Sequence, residues 1–352
     1  MSERIVVALD AMGGDHAPEM VVKGAAIARE RFPDIHFLLF GVESRITPLL
    51  ETLPALAGCV TVKHTDNFIS GDAKPSTALR SGRNSSMRLA LDAVASGEAR
   101  YMVSAGNTGA LMAMAKYALK TLPGIDRPAI ASFFPTRRGE SVMLDLGANV
   151  ECDAENLVQF ALMGEVFART TLGLTRPSVG LLNIGSEQLK GNDAVRGAAM
   201  RLRAPGCPIN FRGYVEGDDI AAGTADVIVT DGFTGNVALK TAEGTAKLFG
   251  EYVRAVLTNS IMAKLGYVFV APALRRLRDR LDVRRYNGAV FLGLEGIAVK
   301  SHGGTDELGF ANAIGVGADM CINGFLDKIR DEIAQMSAVV ALPEKASTTA
   351  AL

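Results

Sequence analysis

The sequence predicts an α/β protein: a mainly parallel sheet covered by helices on both faces. Short apolar, β-rich runs recur through the first two thirds of the chain, and segments of helical period separate most of them. Many of these runs also end in glycine, aspartate, asparagine or serine, and open α/β sheets bind ligands beyond the carboxyl ends of their strands.

The first run, 5–9, is β-branched and too short for a helix, as a buried parallel strand should be. A helical period follows over 19–31. Further strands are expected at 35–40, 60–62, 101–104, 130–134, 142–144, 179–182 and 227–230, and further helices at 78–96, 110–122, 156–171, 188–203 and 237–257. The last hundred residues differ. A long helix from Phe233 leads into an apolar stretch ending at Leu274 and then into six arginines between Arg275 and Arg285, which predicts a helical hairpin projecting at about 245–285. The expected organisation is one α/β unit over 1–336, with a flexible tail rich in Ala, Ser and Thr over 337–352.

With 352 residues and 48% apolar content, the chain can bury a large core. A net charge of -1 argues against a dedicated nucleic-acid binder. Cys59, Cys152, Cys207 and Cys321 are scattered, so neither a disulfide framework nor a metal site is expected. The opening residues read as neither a signal nor a transit peptide, which makes the cytoplasm the expected location. The most apolar stretch, 267–274, is too short to span a bilayer.

The turn after the first strand holds Asp10, Gly13, Gly14, Asp15 and His16. The glycines permit close ligand approach, and the aspartates and histidine supply acid, base and hydrogen bonds, although a plain turn would read the same way. Ser104-Ala-Gly-Asn-Thr-Gly109 leads from strand to helix, so Ser104, Gly106, Asn107, Thr108 and Gly109 form either an anion site or an ordinary N-cap. The loop lacks the endings of a Walker A or dinucleotide-binding motif. Asp145 to Asn149, Asn183 to Glu187 with Lys190, and Asp231 to Asn236 repeat the pattern. Each alone reads as a cap or turn; together they are expected to converge on one edge as a polar basin.

Lys74 and Arg80, with Ser85 and Ser86, form either an anion clamp or a solvated basic face. His302 sits in a Ser-His-Gly-Gly context like that of His16, whereas His36 and His64 read as structural or exposed. No serine lies in a nucleophile elbow and no cysteine has a neighbouring base, so no covalent nucleophile is indicated. In the hairpin, Leu265, Val268 and Phe269 beside Arg275, Arg276 and Arg278 suit an anionic membrane or an acidic protein; an oligomer contact is the alternative.

Several of these strings carry a specific likeness. Ala8-Leu-Asp-Ala-Met-Gly-Gly-Asp-His-Ala-Pro18, Val103-Ser-Ala-Gly-Asn-Thr-Gly-Ala-Leu-Met-Ala113, Leu144-Asp-Leu-Gly-Ala-Asn149 with Cys152, Gly180-Leu-Leu-Asn-Ile-Gly185, Val215-Glu-Gly217 and Asp231-Gly-Phe-Thr-Gly-Asn-Val-Ala-Leu-Lys240 closely resemble the PlsX family of phosphate acyltransferases. The likeness runs from Ile5 to about Ile329. Arg83-Asn84 stands where the family usually has Lys-Asp, and Ser186 where it often has Glu.

The resemblance implies reversible transfer of a fatty acyl group from acyl carrier protein to inorganic phosphate, giving acyl phosphate for phospholipid (phosphatidic acid) synthesis without metal or cofactor. It further implies a homodimer with a Rossmann-like three-layer αβα sandwich, similar to the isopropylmalate dehydrogenase fold. Peripheral association with the inner face of the cell membrane and contact with the downstream glycerol-3-phosphate acyltransferase complete the picture.

Thioester cleavage by phosphate needs the anion held near the carbonyl carbon and aimed donors for the developing oxyanion. Ser104 to Gly109, Lys190 and Asn236 are the leading candidates for those tasks. Asp10, Asp15, His16 and Asp231 would orient phosphate or brace the loops, and Asn149, Asn183, Glu187 and His302 would line the basin. Two other classes share some of these features. A metal- and NAD-dependent dehydrogenase of the isopropylmalate type would have the same fold, but it wants clustered Asp ligands and a Tyr/Lys pair not located in the chain. A non-enzymatic membrane-bound scaffold is the third reading.

Overall fold

The computed structural model describes residues 4–280 and 282–340, without the side chains at 261, 264, 265, 268, 275–280, 283 and 336–340. Among the described residues eleven strands run in chain order as β1 (Val6–Asp10), β2 (His36–Gly41), β3 (Val60–His64), β4 (Tyr101–Ser104), β5 (Ala129–Thr136), β6 (Gly139–Leu144), β7 (Ser178–Leu182), β8 (Asn210–Val215), β9 (Val227–Val229), β10 (Ala289–Leu292) and β11 (Ile297–Lys300). The helices are α1 (Glu19–Arg31), α2 (Glu43–Glu51), α3 (Pro75–Ser81), α4 (Ser86–Ala95), α5 (Thr108–Leu119), α6 (Ala154–Leu172), α7 (Asp193–Leu202), α8 (Gly217–Ala222), α9 (Gly232–Thr258), α10 (Ile261–Arg280), α11 (Glu307–Ile322) and α12 (Phe325–Val340).

All eleven strands join one sheet in the order β3-β2-β1-β4-β11-β10-β5-β6-β9-β7-β8. Alternate side chains along a strand serve opposite faces. Val7 and Leu9 enter a core with α1, α6 and α11, while Ala8 enters the other with α4 and α5. This is the expected three-layer α/β architecture with a mostly parallel sheet. Close packing of α11 on β4 depends on Gly317, where a Cβ would run into the ring of buried Tyr101. The same tyrosine donates its hydroxyl to the Ile314 carbonyl at 2.9 Å.

Among the described strands, the pairings of β10 with β11, β10 with β5 and β5 with β6 are antiparallel and the rest are parallel. The antiparallel pairings reverse the sense of the sheet. β3, β2, β1, β4 and β11 run one way, and β6, β9, β7 and β8 run the other. The expected convergence of all polar strand ends on one edge is therefore corrected. The ends of β1, β4 and β11 open on one edge, and those of β6, β9 and β7 on the opposite one.

Local chemistry also moved some boundaries. The helix expected over 78–96 is two, because the chain turns at Gly82 and Ser85 caps α4 by accepting from the Arg88 amide at 3.3 Å. The helix expected from 188 starts at Asp193, capped by Asn192, whose Oδ1 accepts from the Val195 amide at 2.9 Å. β8, β10 and β11 were not expected. β8 contains Arg212 and Gly213, which break its apolar pattern, and β10 and β11 are four-residue strands beyond the hairpin.

α9 and α10 form the hairpin. In α9 only Gly232 and Gly235 are buried, so at 1.5 Å per residue most of its ~40 Å length stands away from the sheet. No described helix is long and apolar enough to cross a membrane. α12 continues to Val340, into the expected tail; residues 341–352 lie outside the described residues.

Candidate active site

Asp10, the last residue of β1, is buried at 1% exposure. Its Oδ1 accepts from Ser86 Oγ at 2.6 Å and from the Met12 amide at 3.3 Å, and its Oδ2 accepts from Ser104 Oγ at 2.6 Å. Burial pushes the carboxyl above its ordinary value, against the two serine hydroxyls that pull it down. Ser104 Oγ in turn accepts from the Gly106 amide at 3.0 Å. One carboxylate thus ties together the start of α4 and the turns after β1 and β4.

Gly13 sits inside this knot. A Cβ there would lie 2.5 Å from Asp10 Oδ2 and 2.8 Å from the Gly106 nitrogen, so only glycine lets the two turns meet. Gly14 holds φ at +106°, a left-handed conformation suited to glycine. The Asp15 amide donates to the Gly303 carbonyl at 2.9 Å, joining the β1 turn to the β11 turn, and the side chains of Asp15 and His16 are exposed.

The β4 turn is a capped helix start. Asn107 Oδ1 accepts from the Ala110 amide at 2.8 Å, and its Nδ2 donates to the Gly71 carbonyl at 2.7 Å. Thr108 is exposed, and Gly109 packs on Pro75. Ser85 is spent on the α4 cap and on a 2.7 Å bond to the Gly82 carbonyl. Lys74 and Arg80 are exposed at the two ends of α3; Arg80 opens onto a cleft of about 350 Å³ shared with Arg83 and Arg88.

The third turn on this edge follows β11. Asn287 Nδ2 donates to Ser301 Oγ at 2.8 Å and to the Gly309 carbonyl at 2.7 Å, while its Oδ1 accepts from the His302 amide at 2.8 Å. His302 is exposed, and its Nδ1 accepts from the Gly304 amide at 3.2 Å. Lys300 ends the strand, in register with Ser104 at the end of β4. Its ammonium donates to the Ser301 carbonyl and, at 3.5 Å, to the Ala105 carbonyl. Burial pushes the amine down to about 8, while Asp10 and Asp15 pull it up. Sequence reasoning passed over Asn287 and Lys300. The available signal was Lys300 standing directly before Ser301-His302-Gly303 at the end of an apolar run.

The opposite edge has its own buried carboxylate. Asp145, fully buried after β6, accepts from the amides of Ile130, Gly147, Ala148 and Asn149 and from Asn149 Nδ2, at 2.7–3.2 Å. Asn149 also donates to the Pro128 carbonyl at 2.8 Å, so both of its amide bonds brace the loop. Asp231 caps α9 by accepting from the Thr234 amide at 2.7 Å and its hydroxyl at 3.0 Å. Asn236 Nδ2 donates to the Leu146 carbonyl at 3.2 Å. At Gly235 a Cβ would collide with the Asp145 carbonyl, so α9 is set directly against the β6 loop.

Asn183 Nδ2 donates to the carbonyls of Gly185 at 3.1 Å and Lys190 at 3.2 Å, shaping the loop after β7. Glu187 and Lys190 lie side by side over Gly185 and are exposed, on a loop that also exposes Ile184 at 80% and Leu189 at 90%. Cys152, near Asp145 and Asp231, is pushed up to about 12, first by burial and then by those carboxylates, which leaves an unreactive thiol at neutral pH. Among the described residues no three His, Cys, Asp or Glu side chains come together to hold a metal ion.

In the hairpin, Phe269 is 85% exposed. The side chains of Leu265, Val268, Arg275, Arg276 and Arg278 lie outside the described residues.

Residues 5–328 match the family model described as fatty acid synthesis protein. The phosphate acyltransferase of Rhodospirillum centenum is 67% identical over 340 residues, covering 97% of this chain and 96% of that protein. The phosphate acyltransferase of Rhodospirillum rubrum is 60% identical over 352 residues, covering 100% of both. Among solved structures, a phosphotransacetylase from Streptococcus pyogenes shares the fold at a TM-score of 0.64 with 16% identity, over 92% of this chain and 95% of that one. The EutD phosphotransacetylase from Staphylococcus aureus does so at 0.58, also with 16% identity, over 90% and 94%.

Proposed function

The chain belongs to the fatty acid synthesis protein family, the phosphate acyltransferases, and on that premise we propose that it moves a fatty acyl group from acyl carrier protein to inorganic phosphate. Acyl transfer to phosphate rests on one observation above all, the near full-length identity to phosphate acyltransferases. The carrier-bound donor and the supply of acyl phosphate to phosphatidic acid synthesis are the finer parts of the proposal.

The reaction joins a phosphate oxygen to the thioester carbon and breaks the carbon–sulfur bond. The electron pair leaves on sulfur, which takes up the proton that hydrogen phosphate brought. No strong base is required. The work is positioning and charge stabilisation, which favours an edge built of amides and rigid turns. The turns after β1, β4 and β11 fit that demand, since the buried Asp10 holds Ser86 and Ser104 rigid behind them. Of the first-turn amides of α5, Asn107 takes that of Ala110; those of Thr108 and Gly109 are the ones an anion would meet. In this reading Asp10 acts through the loops it braces, and Asp15, His16 and His302 line the mouth.

Lys190, Glu187, Asp231 and Asn236 are the candidates on the opposite edge, where the exposed Ile184 and Leu189 suit the thioester arm or the carrier surface. Association as a homodimer, contact with the membrane and contact with a glycerol-3-phosphate acyltransferase belong to the same proposal. They draw support from the apolar surface of α9 and α10, where Phe249, Tyr252, Val256, Met262 and Phe269 are exposed.

Incubating long-chain acyl carrier protein with phosphate should yield acyl phosphate and free carrier thiol, and failure to form acyl phosphate would refute the reading. Lys190→Ala in the same assay tests the opposite edge. Replacing Arg275, Arg276 and Arg278 by Ala separates the partners of the hairpin: lost membrane pelleting with unchanged rate on soluble substrate would exclude an essential carrier-docking role for these arginines.

A further inference from the structure

Lys300 is a cation in an unusual setting. It ends β11 where the turn after β4 meets the turn that Lys300 itself leads into, and it is only partly exposed. Two carbonyls from different turns, Ala105 and Ser301, hold its nitrogen. An ammonium carries three N–H donors, so one is left over.

The surrounding charges do not close on it. Asp10 and Asp15, from β1 and its turn, are the carboxylates that face the ammonium, and among the described residues neither forms an ion pair with it. Asp10 is already engaged by Ser86, Ser104 and the Met12 amide. From the turn after β4 the ammonium meets the Ala105 carbonyl, and beyond its own strand end lies the His302 imidazole, turned to the Gly304 amide. A cation withdrawn from water without a contacting counter-charge is costly, and an anionic ligand would supply that charge. Lys74 and Arg80, by contrast, are exposed at the two ends of α3.

We propose that the Lys300 ammonium binds the attacking phosphate, with its third N–H on a phosphate oxygen while the carbonyls of Ala105 and Ser301 fix its position. The assignment rests on the reading of this chain as a phosphate acyltransferase and names a residue for one of its two substrates. The low proton affinity of the amine, near 8, makes the contact sensitive to pH. Below that value the ammonium is charged and binds; above it the amine is neutral and phosphate is released. Arginine keeps its charge throughout this range.

Phosphate binding should be followed by 31P line broadening from about pH 7 to about pH 9.5, either side of the value near 8, in the full chain, in Lys300→Met and in Lys300→Arg. Loss of one charge-assisted hydrogen bond corresponds to roughly 10- to 100-fold weaker binding in Lys300→Met at neutral pH, with the KM for phosphate rising in step. Wild type should lose affinity through about pH 8, and Lys300→Arg should hold whatever affinity it has across the range. Equal phosphate binding by wild type and Lys300→Met, or parallel pH curves for wild type and Lys300→Arg, would overturn the assignment. Phosphate binding that depends on Lys300 without formation of acyl phosphate would instead refute the proposed function and leave the phosphate site standing.

Discussion

Replacing Lys300 by Met should stabilise the folded protein at neutral pH even as it weakens phosphate binding. Burial lowers the proton affinity of this amine from 10.5 to about 8. At about 1.4 kcal/mol for each tenfold change, keeping it charged in the folded state costs roughly 3 kcal/mol. The part of the side chain that reaches water screens some of that cost. Methionine retains an unbranched stem but abandons the bonds to Ala105 and Ser301, which takes back about 1 kcal/mol. A net gain of about 1 to 2 kcal/mol is expected, read from urea unfolding at pH 7.

The gain should depend on pH with a definite sign. Below about 8 the lysine is charged in both folded and unfolded chains, so the wild type carries the full penalty. Between about 8 and 10.5 the unfolded chain binds the proton and the folded one does not, so wild-type stability rises with pH and the advantage of the variant shrinks. Above 10.5 no penalty remains. A variant less stable than wild type at pH 7, or an advantage that does not diminish toward pH 10.5, would refute the reasoning.

Asp10→Ala strands the hydroxyls of Ser86 and Ser104 and the Met12 amide, and should cost about 2–4 kcal/mol in urea unfolding. Asp145→Ala removes the acceptor for four backbone amides and Asn149, and should cost at least ~3 kcal/mol; a thermal scan showing almost no change would mean that water replaces the carboxylate. Gly13→Ala presses a methyl against Asp10 and Gly106, and is expected to lose ~1–3 kcal/mol together with most of the acyl-transfer rate. Lys190→Ala, at an exposed position, should leave stability within ~0.5 kcal/mol, so any fall in rate for that variant reports on the reaction rather than on folding.

Much of the fold was legible because its determinants are local. The short apolar runs at β1, β4, β7 and β9 mark buried strands, and Asn107 and Asp231 stand directly before the helices they cap. The polar turns were legible for the same reason: glycine and short polar side chains at strand ends are visible one segment at a time. β8 escaped because Arg212 and Gly213 interrupt its apolar pattern, and the break between α3 and α4 because Gly82 and the Ser85 cap lie inside an otherwise helical period.

What the amino-acid sequence determined by itself was the set of strands and helices carrying the glycine-rich turns, together with the family likeness written in those turns. Which turns share an edge was a tertiary decision. It rests on three antiparallel pairings among β11, β10, β5 and β6; β10–β11 and β5–β6 are hairpins, but the β10–β5 pairing that joins them links strands far apart in the chain, and no local pattern encodes the sense of a distant partner. The state of Lys300 was decided the same way. A lysine at the end of a strand is an ordinary solvated cation until the turns after β1 and β4 close around it, and only then do burial and two carbonyls set its charge and its reach.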